Sequence, residues 1–382
     1  MKVAGAWLDA PGTQGVLAML TAAGHQALVV GGCVRNTLIG VPVSDVDIAT
    51  DALPQTVSDL AEKAGFRAVP TGIAHGTVTV VAHGEGHEVT TFRHDEETFG
   101  RHARVAFGAD LVQDAARRDF TMNALYAQAD GGVIDPLGGL PDILARRVRF
   151  VGDPEARIAE DALRILRFFR FHAQYGDPAQ GLDAEALAAC ALHSAMLETL
   201  SRERITAELK KLLAARDPAP AVGAMATIGV LPHVLPGASA AALAVLVHLE
   251  GGHPGGWLRR LAVLGSAEGL RLSNRESRDF GRIRDAFGRA DTPAALGWRL
   301  GEGLAADVIL GFAALMESPP PQGWQSEVAR GAEARFPLKP ADLMPALSGA
   351  ALGAALKSAQ DDWLTADLRP GRDELLGRLG LA

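Results

Sequence analysis

The pattern of apolar and polar positions changes character along the chain. Ala27-Leu28-Val29-Val30 is a short apolar run ended by Gly31-Gly32, which predicts a buried strand running into a tight turn. Asp45-Val46-Asp47-Ile48-Ala49 alternates with the two-residue period of a strand. Thr77 to Ala82 and Glu88 to Phe92 are β-rich runs joined by His83-Gly84-Glu85-Gly86-His87, which predicts a hairpin. Between them, Leu53 to Ala64 predicts a helix with Pro54 near its start. From about Asp110 the period becomes helical. Leu111 to Ala127 carries apolar residues at helical spacing and stops at Asp130-Gly131-Gly132. Asp135-Pro136-Leu137-Gly138-Gly139-Leu140-Pro141 punctuates the chain as a hinge candidate, and Glu160 to Ala173 predicts an amphipathic, arginine-rich helix. The rest is Ala- and Leu-rich, with breaks at Pro218-Ala219-Pro220, Gly251-Gly252 and Ser318 to Pro321, and predicts helices and loops without repeats.

Composition narrows the class. A chain of 382 residues exceeds one average core, so two or more domains are expected. No apolar run reaches the roughly 18 residues of a membrane span, and no basic stretch followed by a hydrophobic one opens the chain. The expectation is a cytoplasmic protein without membrane contact. Two cysteines, Cys33 and Cys190, lack pairing or metal-ligand spacing, which fits a reducing compartment and argues against a disulfide framework or zinc site. The net charge of −8 sits awkwardly with a nucleic-acid partner. Distribution qualifies that: Arg146, Arg147, Arg149, Arg157, Arg164, Arg167 and Arg170 face only Asp153, Glu155, Glu160 and Asp161, so a local basic surface is expected there.

Two constellations carry chemistry. Gly31-Gly32-Cys33-Val34-Arg35-Asn36 follows a strand, where glycines let backbone amides approach a triphosphate and Arg35 could meet its charge. Asp45 and Asp47, two apart on a strand, would present both carboxylates to one place. That suits Mg²⁺, which takes carboxylates together with substrate phosphates. Each element alone has a plain reading, solvated turn aspartates and an ordinary glycine turn. In this order they point to phosphoryl or nucleotidyl transfer.

The arrangement resembles the head of the DNA polymerase β nucleotidyltransferase superfamily, and further motifs narrow the likeness. Asp114-Ala115-Ala116-Arg117-Arg118-Asp119-Phe120-Thr121-Met122-Asn123-Ala124-Leu125 is similar to an RRDFTxNAL motif. Asp135-Pro136 through Gly139, Asp142 and Arg149 to Pro154 resemble the hinge motif that follows it, and Glu160-Asp161-Ala162-Leu163-Arg164 an EDxxR motif. Four motifs in order over residues 28–170 resemble class II CCA-adding enzymes and bacterial poly(A) polymerases; past Tyr175 the likeness weakens to Gly349 to Lys357 with Trp363.

The resemblance implies an α+β protein: a nucleotidyltransferase head of mixed sheet and helices at 1–134, a helical neck with a nucleotide-selecting helix at 135–200, and a helical, tRNA-binding body and tail at 201–382. It implies template-independent addition of CCA to the tRNA 3′ end from CTP and ATP, with Mg²⁺. Asp45 and Asp47 would hold the metals. Glu88 sits where a third carboxylate could act, its alternative being a plain hairpin glutamate. Gly31, Gly32 and Arg35 would contact the triphosphate, and Arg118 and Asp119 the ribose. Asp161 and Arg164, three apart on a helix, would read the base edge, with Glu160 steadying Arg164 and Arg167 also binding nucleotide. Cys33 reads as a buried side chain, His75 as a substrate contact or strand cap, and Arg93, Arg101 and Arg104 as added positive charge. The plain alternative makes Arg117, Arg118, Asp119, Glu160, Asp161 and Arg164 ordinary surface ion pairs.

One residue departs from the pattern: Asn36 stands where the glycine motif usually ends in Asp, keeping the shape and losing the charge. The nearest rival is a poly(A) polymerase or an enzyme adding part of CCA. Lys339, Lys357, Arg369, Arg372 and Arg378 stand against six acids in 338–382, which is not the basic extension a long-tail polymerase would use. A rival of another class is a non-catalytic RNA-binding relic, which intact Asp45, Asp47, Arg118, Asp119, Asp161 and Arg164 oppose. A metal-dependent phosphohydrolase is discounted because His193, His233, His248 and His253 lack adjacent aspartates. The oligomeric state is left open.

Overall fold

The computed structural model describes residues 1–99, 102–108, 110–251 and 256–381. Arg101 and His253 lie outside the described residues, as does the side chain of Arg104. The chain divides into two units, Met1–Arg204 with Ile228–His233, and Ile205–Thr227 with Val234–Ala382.

The first unit opens with α1 (Ala6–Asp9) and α2 (Pro11–Ala22), and the apolar run forms β1 (Ala27–Val30), buried at all four positions. Then come α3 (Gly32–Leu38), β2 (Asp47–Thr50), α4 (Pro54–Lys63), β3 (Arg67–Gly72), β4 (Thr77–Ala82) and β5 (Glu85–Thr91). Pro54 opens α4 as expected, at a position whose amide needs no partner. The hairpin is tighter than expected. His83 and Gly84 both take positive φ, 52° and 85°, which gives a two-residue turn, so β5 starts at Glu85. β6 (Arg93–Phe99) and β7 (His102–Phe107) pair apart from the main sheet. With β8 (Tyr126–Ala127) and β9 (Val133–Ile134), the main sheet runs β3-β4-β5-β2-β1-β8-β9. Within this sheet, among the described residues, only β2 with β5 is parallel. Val16, Leu17 and Leu20 of α2 and Val57 and Ala61 of α4 are buried, as are the sheet residues Leu28, Val29, Ile48, Val78, Val80 and Val89.

Three expectations change. Asp45 precedes the strand rather than lying on it, since β2 begins at Asp47. The helix expected over Leu111–Ala127 is only α5 (Leu111–Ala116), started by an Asp110–Gln113 capping box. It stops because the next residues find partners elsewhere: Phe120 bridges to Phe150, Thr121 N donates to Arg149 O at 3.0 Å, and Val151 N donates to Asp119 O at 3.0 Å. The arginine-rich helix expected from Glu160 begins only at Leu163, because Glu160 closes a separate helix. After α6 (Leu140–Leu144), α7 (Pro154–Glu160) ends where Asp161 turns extended, and α8 (Leu163–Tyr175) follows. Phe120, Phe150, Phe168 and Phe171 pack ring on ring, joining α8 to the 120–150 segment.

α9 (Ala184–Leu192) and α10 (Arg202–Leu213) come next, and beyond them the described residues form helices and connecting segments. The second unit holds a core of its own, in which Trp363 packs edge-on against Trp298 and Phe336. No helix among the described residues is long and apolar enough to cross a membrane.

Candidate active site

The register of three strands brings the first constellation together. Val30 pairs with Asp47, and Asp47 pairs with Glu88 on its other side, so the turn leaving β1 emerges beside two carboxylates. Residues in register share a face. His87, one residue before Glu88, contacts Thr13 of α2 at 3.1 Å, so alternation turns Glu88 to the face away from α2. Gly31 takes φ 71°, where a Cβ would be strained, and its amide donates to Leu125 O at 3.0 Å. The amides of Gly32, Cys33 and Val34 open the first turn of α3 and have no partner within the helix. Cys33 is buried, its thiol pushed up to about 11 chiefly by burial.

Asp45 lies two residues before Asp47 and accepts from Ser44 Oγ at 2.9 Å. A cavity of about 520 Å³, lined in part by Trp7, Ser44, Asp45, Glu85 and His87, opens beside it. The Asp47 carboxyl is raised above the ordinary aspartate range, first by desolvation, then by the charge of Glu88, with Arg118 opposing and Asp45 adding. These like charges crowd one another while Asp47 keeps surface open to solvent. Among the described residues no three acid, histidine or cysteine side chains already converge on one point as cation ligands. The donor set is oxygen-only and incomplete by itself, which fits Mg²⁺ completed by substrate phosphates and water.

Next to the turn, Arg118 is held by two groups. It donates to Asp114 Oδ2 at 3.1 Å and to the Tyr126 hydroxyl at 3.1 Å, while Tyr126 donates to Asp114 at 2.7 Å. Burial alone would raise the Asp114 carboxyl, but Arg118 and Arg117 outweigh it and hold it low. A Cβ on Gly31 would lie 3.5 Å from Arg118 Nη1, so this guanidinium stands over the turn. Asp119 faces Arg167, whose Nε and Nη2 donate at 2.8 and 2.5 Å; it also accepts from Asn123 and from Phe120 N, each at 2.8 Å. Burial would raise this carboxyl too; Arg167 and Asn123 hold it below the usual range. Arg35 is buried and turned toward Asn36, Asn123 and Tyr175. Asn36 answers the question of the missing Asp in part: its Oδ1 accepts from Arg35, and its Nδ2 donates to Pro42 O at 2.9 Å, which a carboxylate could not do.

At the α7–α8 break, Asp161 is not helical. Its Oδ1 accepts from Leu163 N at 3.1 Å and its Oδ2 pairs with Arg204 at 2.6 Å. Arg164 pairs with Glu160 and donates to Arg157 O at 2.7 Å. Arg157 is buried, bonds Glu160 at 2.5 Å and reaches the backbone carbonyls of Arg117 and Arg118. Asp142 is fully buried under Arg147, Arg149 and Thr121. The expected basic surface is therefore largely paired within the molecule: Arg147, Arg149, Arg157, Arg164 and Arg167 each meet a carboxylate. His75 accepts from Arg93 through its backbone carbonyl, just before β4.

The structure thus gathers Gly31, Gly32, Asp47, Glu88 and Arg118, links Asp119 to Arg167 and Arg35, and pairs Glu160 with Arg164 and Asp161 with Arg204. Asn123, Tyr175, Asp114, Arg157 and Arg204 were not among the expected site residues. Asn123 and Asp114 lie inside the RRDF motif, and Tyr175 lies eight residues after Arg167 on one helical stripe. Nothing in the sequence pattern marks Arg204.

A mixed sheet with a glycine turn beside in-register carboxylates is the head of a nucleotidyltransferase. A family model described as the poly A polymerase head domain matches residues 27–149, and one described as a probable RNA and SrmB binding site of polymerase A matches 181–242. The chain is 37% identical over 316 residues to the CCA-adding enzyme of Geobacillus thermodenitrificans, covering 82% of this chain and 72% of that one. The crystal structure of the Bacillus stearothermophilus CCA-adding enzyme in complex with CTP superposes with a TM-score of 0.72 at 30% identity, covering 93% of both chains. The chain belongs to the family of CCA-adding enzymes. To the Levilactobacillus brevis CCA-adding enzyme it is 43% identical over 216 residues, 56% of this chain and 53% of that one. Against several curated relatives the matched part spans about half their length.

Proposed function

We propose that this chain completes tRNA 3′ ends by adding C, C and A from CTP and ATP, without a nucleic-acid template, releasing pyrophosphate at each addition. The observation that carries the reading is the Val30–Asp47–Glu88 register, which sets a glycine turn and two carboxylates side by side on one sheet. Membership in the CCA-adding family supports the substrate assignment.

In this reading Asp45 and Asp47 hold Mg²⁺, with Glu88 beside them. Bound metal would acidify the attacking 3′-hydroxyl and offset charge on the leaving pyrophosphate. The residues supply alignment and charge. The first-turn amides of α3 contact the triphosphate, and Arg118 and Asp119 take the role of recognising the ribose. Asp161 accepts from the exocyclic amine of cytosine or adenine and Arg164 donates to the ring nitrogen beside it, which requires each to loosen its contact with Arg204 or Glu160. The helical second unit engages the tRNA body by backbone and shape.

The test uses three tRNA transcripts, ending before CCA, after C and after CC, each with labelled CTP, ATP, UTP or GTP, with and without Mg²⁺. Two C additions and one A, abolished in Asp45→Ala, Asp47→Ala, support the reading. A ladder of A on any RNA makes it a poly(A) polymerase, A alone on the CC end a partial enzyme, and no incorporation a relic.

A further inference from the structure

Tyr175 closes a ring of contacts between the glycine turn and the helix that carries Arg164. Arg35, three residues after Gly32, donates through Nε and Nη2 to Asn36 Oδ1 at 3.1 and 2.9 Å, through Nη1 to Asn123 Oδ1 at 2.5 Å, and through Nη2 to the Tyr175 hydroxyl at 3.0 Å. Its guanidinium carbon lies 4.0 Å from the centre of the Tyr175 ring and 5.2 Å from that of Phe171. Asn123 passes the link on, donating to Asp119 at 2.8 Å, and Arg167 grips the other oxygen of Asp119. Arg167, Phe171 and Tyr175 follow at four-residue spacing, so they form one stripe down α8. The ring runs from α3 through Asn123 and Asp119 to Arg167, along that stripe, and back through Tyr175 to Arg35.

The chemistry of Arg35 says what the ring is for. Its partners are neutral amides, a phenol and two aromatic faces, so among the described residues no directly bonded carboxylate explains its burial. A planar guanidinium with rigid, directional donors fixes orientation where a flexible cation would not. One end of the ring is α3, whose first turn follows Gly31. The other is α8, whose second residue is Arg164. We infer that Tyr175 is a positioning residue that, through Arg35, sets the spacing between the glycine turn and the base-reading end of α8, and thereby the discrimination among nucleoside triphosphates. The inference rests on the nucleotidyl-transfer reading above. A nucleotide held by its phosphates at one end and its base at the other is selected by the distance between the two grips. Slack in that distance lets a wrong base edge settle while leaving the phosphate grip intact.

The experiment compares wild type, Tyr175→Phe, which keeps the ring and loses the hydroxyl, and Tyr175→Leu, which loses both, as full chains with melting curves to verify folding. On tRNA lacking CCA, kcat and KM are measured for CTP and for UTP; on tRNA ending in CC, for ATP and for GTP. The expected result is a CTP-over-UTP ratio of kcat/KM lowered about tenfold or more in Tyr175→Leu, as for a displacement of about an ångström in a positioned group. Tyr175→Phe falls between it and wild type, and the KM for CTP stays within about threefold because the phosphate grip is kept. A folded Leu protein with an unchanged ratio, or with CTP and UTP slowed equally, overturns the inference. Should the Leu protein not fold, the Phe protein decides, and an unchanged ratio there overturns it. Wild type that adds neither C nor A sinks the functional reading and this inference together; wild type that adds CCA beside variants of undiminished ratio sinks the inference alone.

Discussion

Asp47 begins β2 with Glu88 in register beside it, and its carboxyl is raised by desolvation first and by Glu88 second. If the ionised carboxylate holds the metal, a proton competes with Mg²⁺ for the metal-free site, so Mg²⁺ affinity falls as pH drops through this raised value. Titration of the metal-free protein with Mg²⁺ at stepped pH should therefore show affinity starting to fall above the range of an ordinary aspartate. In Glu88→Gln the onset of that fall should move to lower pH, since one of its causes is gone; an unmoved onset would assign it to another group. Asn36 makes a second case. Asn36→Ala strips two donations from Arg35 and frees the Pro42 carbonyl, at a cost of about 1–3 kcal/mol in urea unfolding, because a buried guanidinium loses one of its three acceptors. Asn36→Asp keeps the acceptor, loses only the bond to Pro42, and should cost less than the alanine. If the two variants are equal, the Arg35 contact carries no stability.

At the scale of elements, local pattern and long-range pairing disagree in instructive places. Leu111 to Ala127 has the spacing of one helix, yet α5 ends at Ala116 because Asp119, Phe120 and Thr121 pair with residues 149–151 and Phe120 enters an aromatic cluster. Spacing of apolar residues reports which side chains want burial; it cannot report which distant strand will take up the backbone groups. The same holds at Asp161, where the side chain takes Leu163 N and Arg204, so the helix expected from Glu160 begins only at Leu163. The cluster itself has a measurable weight. Phe150 is buried against Phe120 and Phe168, and Phe150→Ala should lower stability by about 3–5 kcal/mol in chemical unfolding. A loss under about 1 kcal/mol would mean that these rings do not hold α8 to the rest of its unit.

On the scale of the whole molecule, each unit has its own core, and the second carries a buried charge network that the sequence did not single out. Glu250 accepts from Arg259 at 2.9 Å and from Arg260 at 2.7 Å, and Arg259 reaches Asp307 at 3.0 Å. Burial, only partly offset by Arg259, raises the Asp307 carboxyl from 3.8 to about 6. A folded value above the unfolded one means that the native state binds the extra proton. The stability it contributes is complete below about pH 4 and lost as pH rises through 6. Asp307→Asn cannot ionise, so its stability relative to wild type should grow between those limits. Four of the five tryptophans, Trp257, Trp298, Trp324 and Trp363, belong to this unit, so tryptophan fluorescence during unfolding reads the effect. A variant that tracks wild type at every pH would show that Asp307 titrates in the fold as it does in the unfolded chain.

The sequence by itself determined which segments are buried strands, where Pro54 and the glycines turn the chain, and which residue types are gathered for nucleotidyl chemistry. These depend on short-range rules of periodicity, backbone freedom and charge that neighbours along the chain express. Tertiary structure alone decided what each of those side chains meets: that Asp47 stands between Val30 and Glu88, that Asp161 is taken by Arg204, that Arg35 faces Tyr175 rather than open solvent, and that most of the arginine run is paired internally. The physical reason is range. A guanidinium's partner is chosen by which carboxylate, carbonyl or ring lies within about 3–5 Å in space. For Arg35 and Tyr175 that nearness joins residues 140 positions apart.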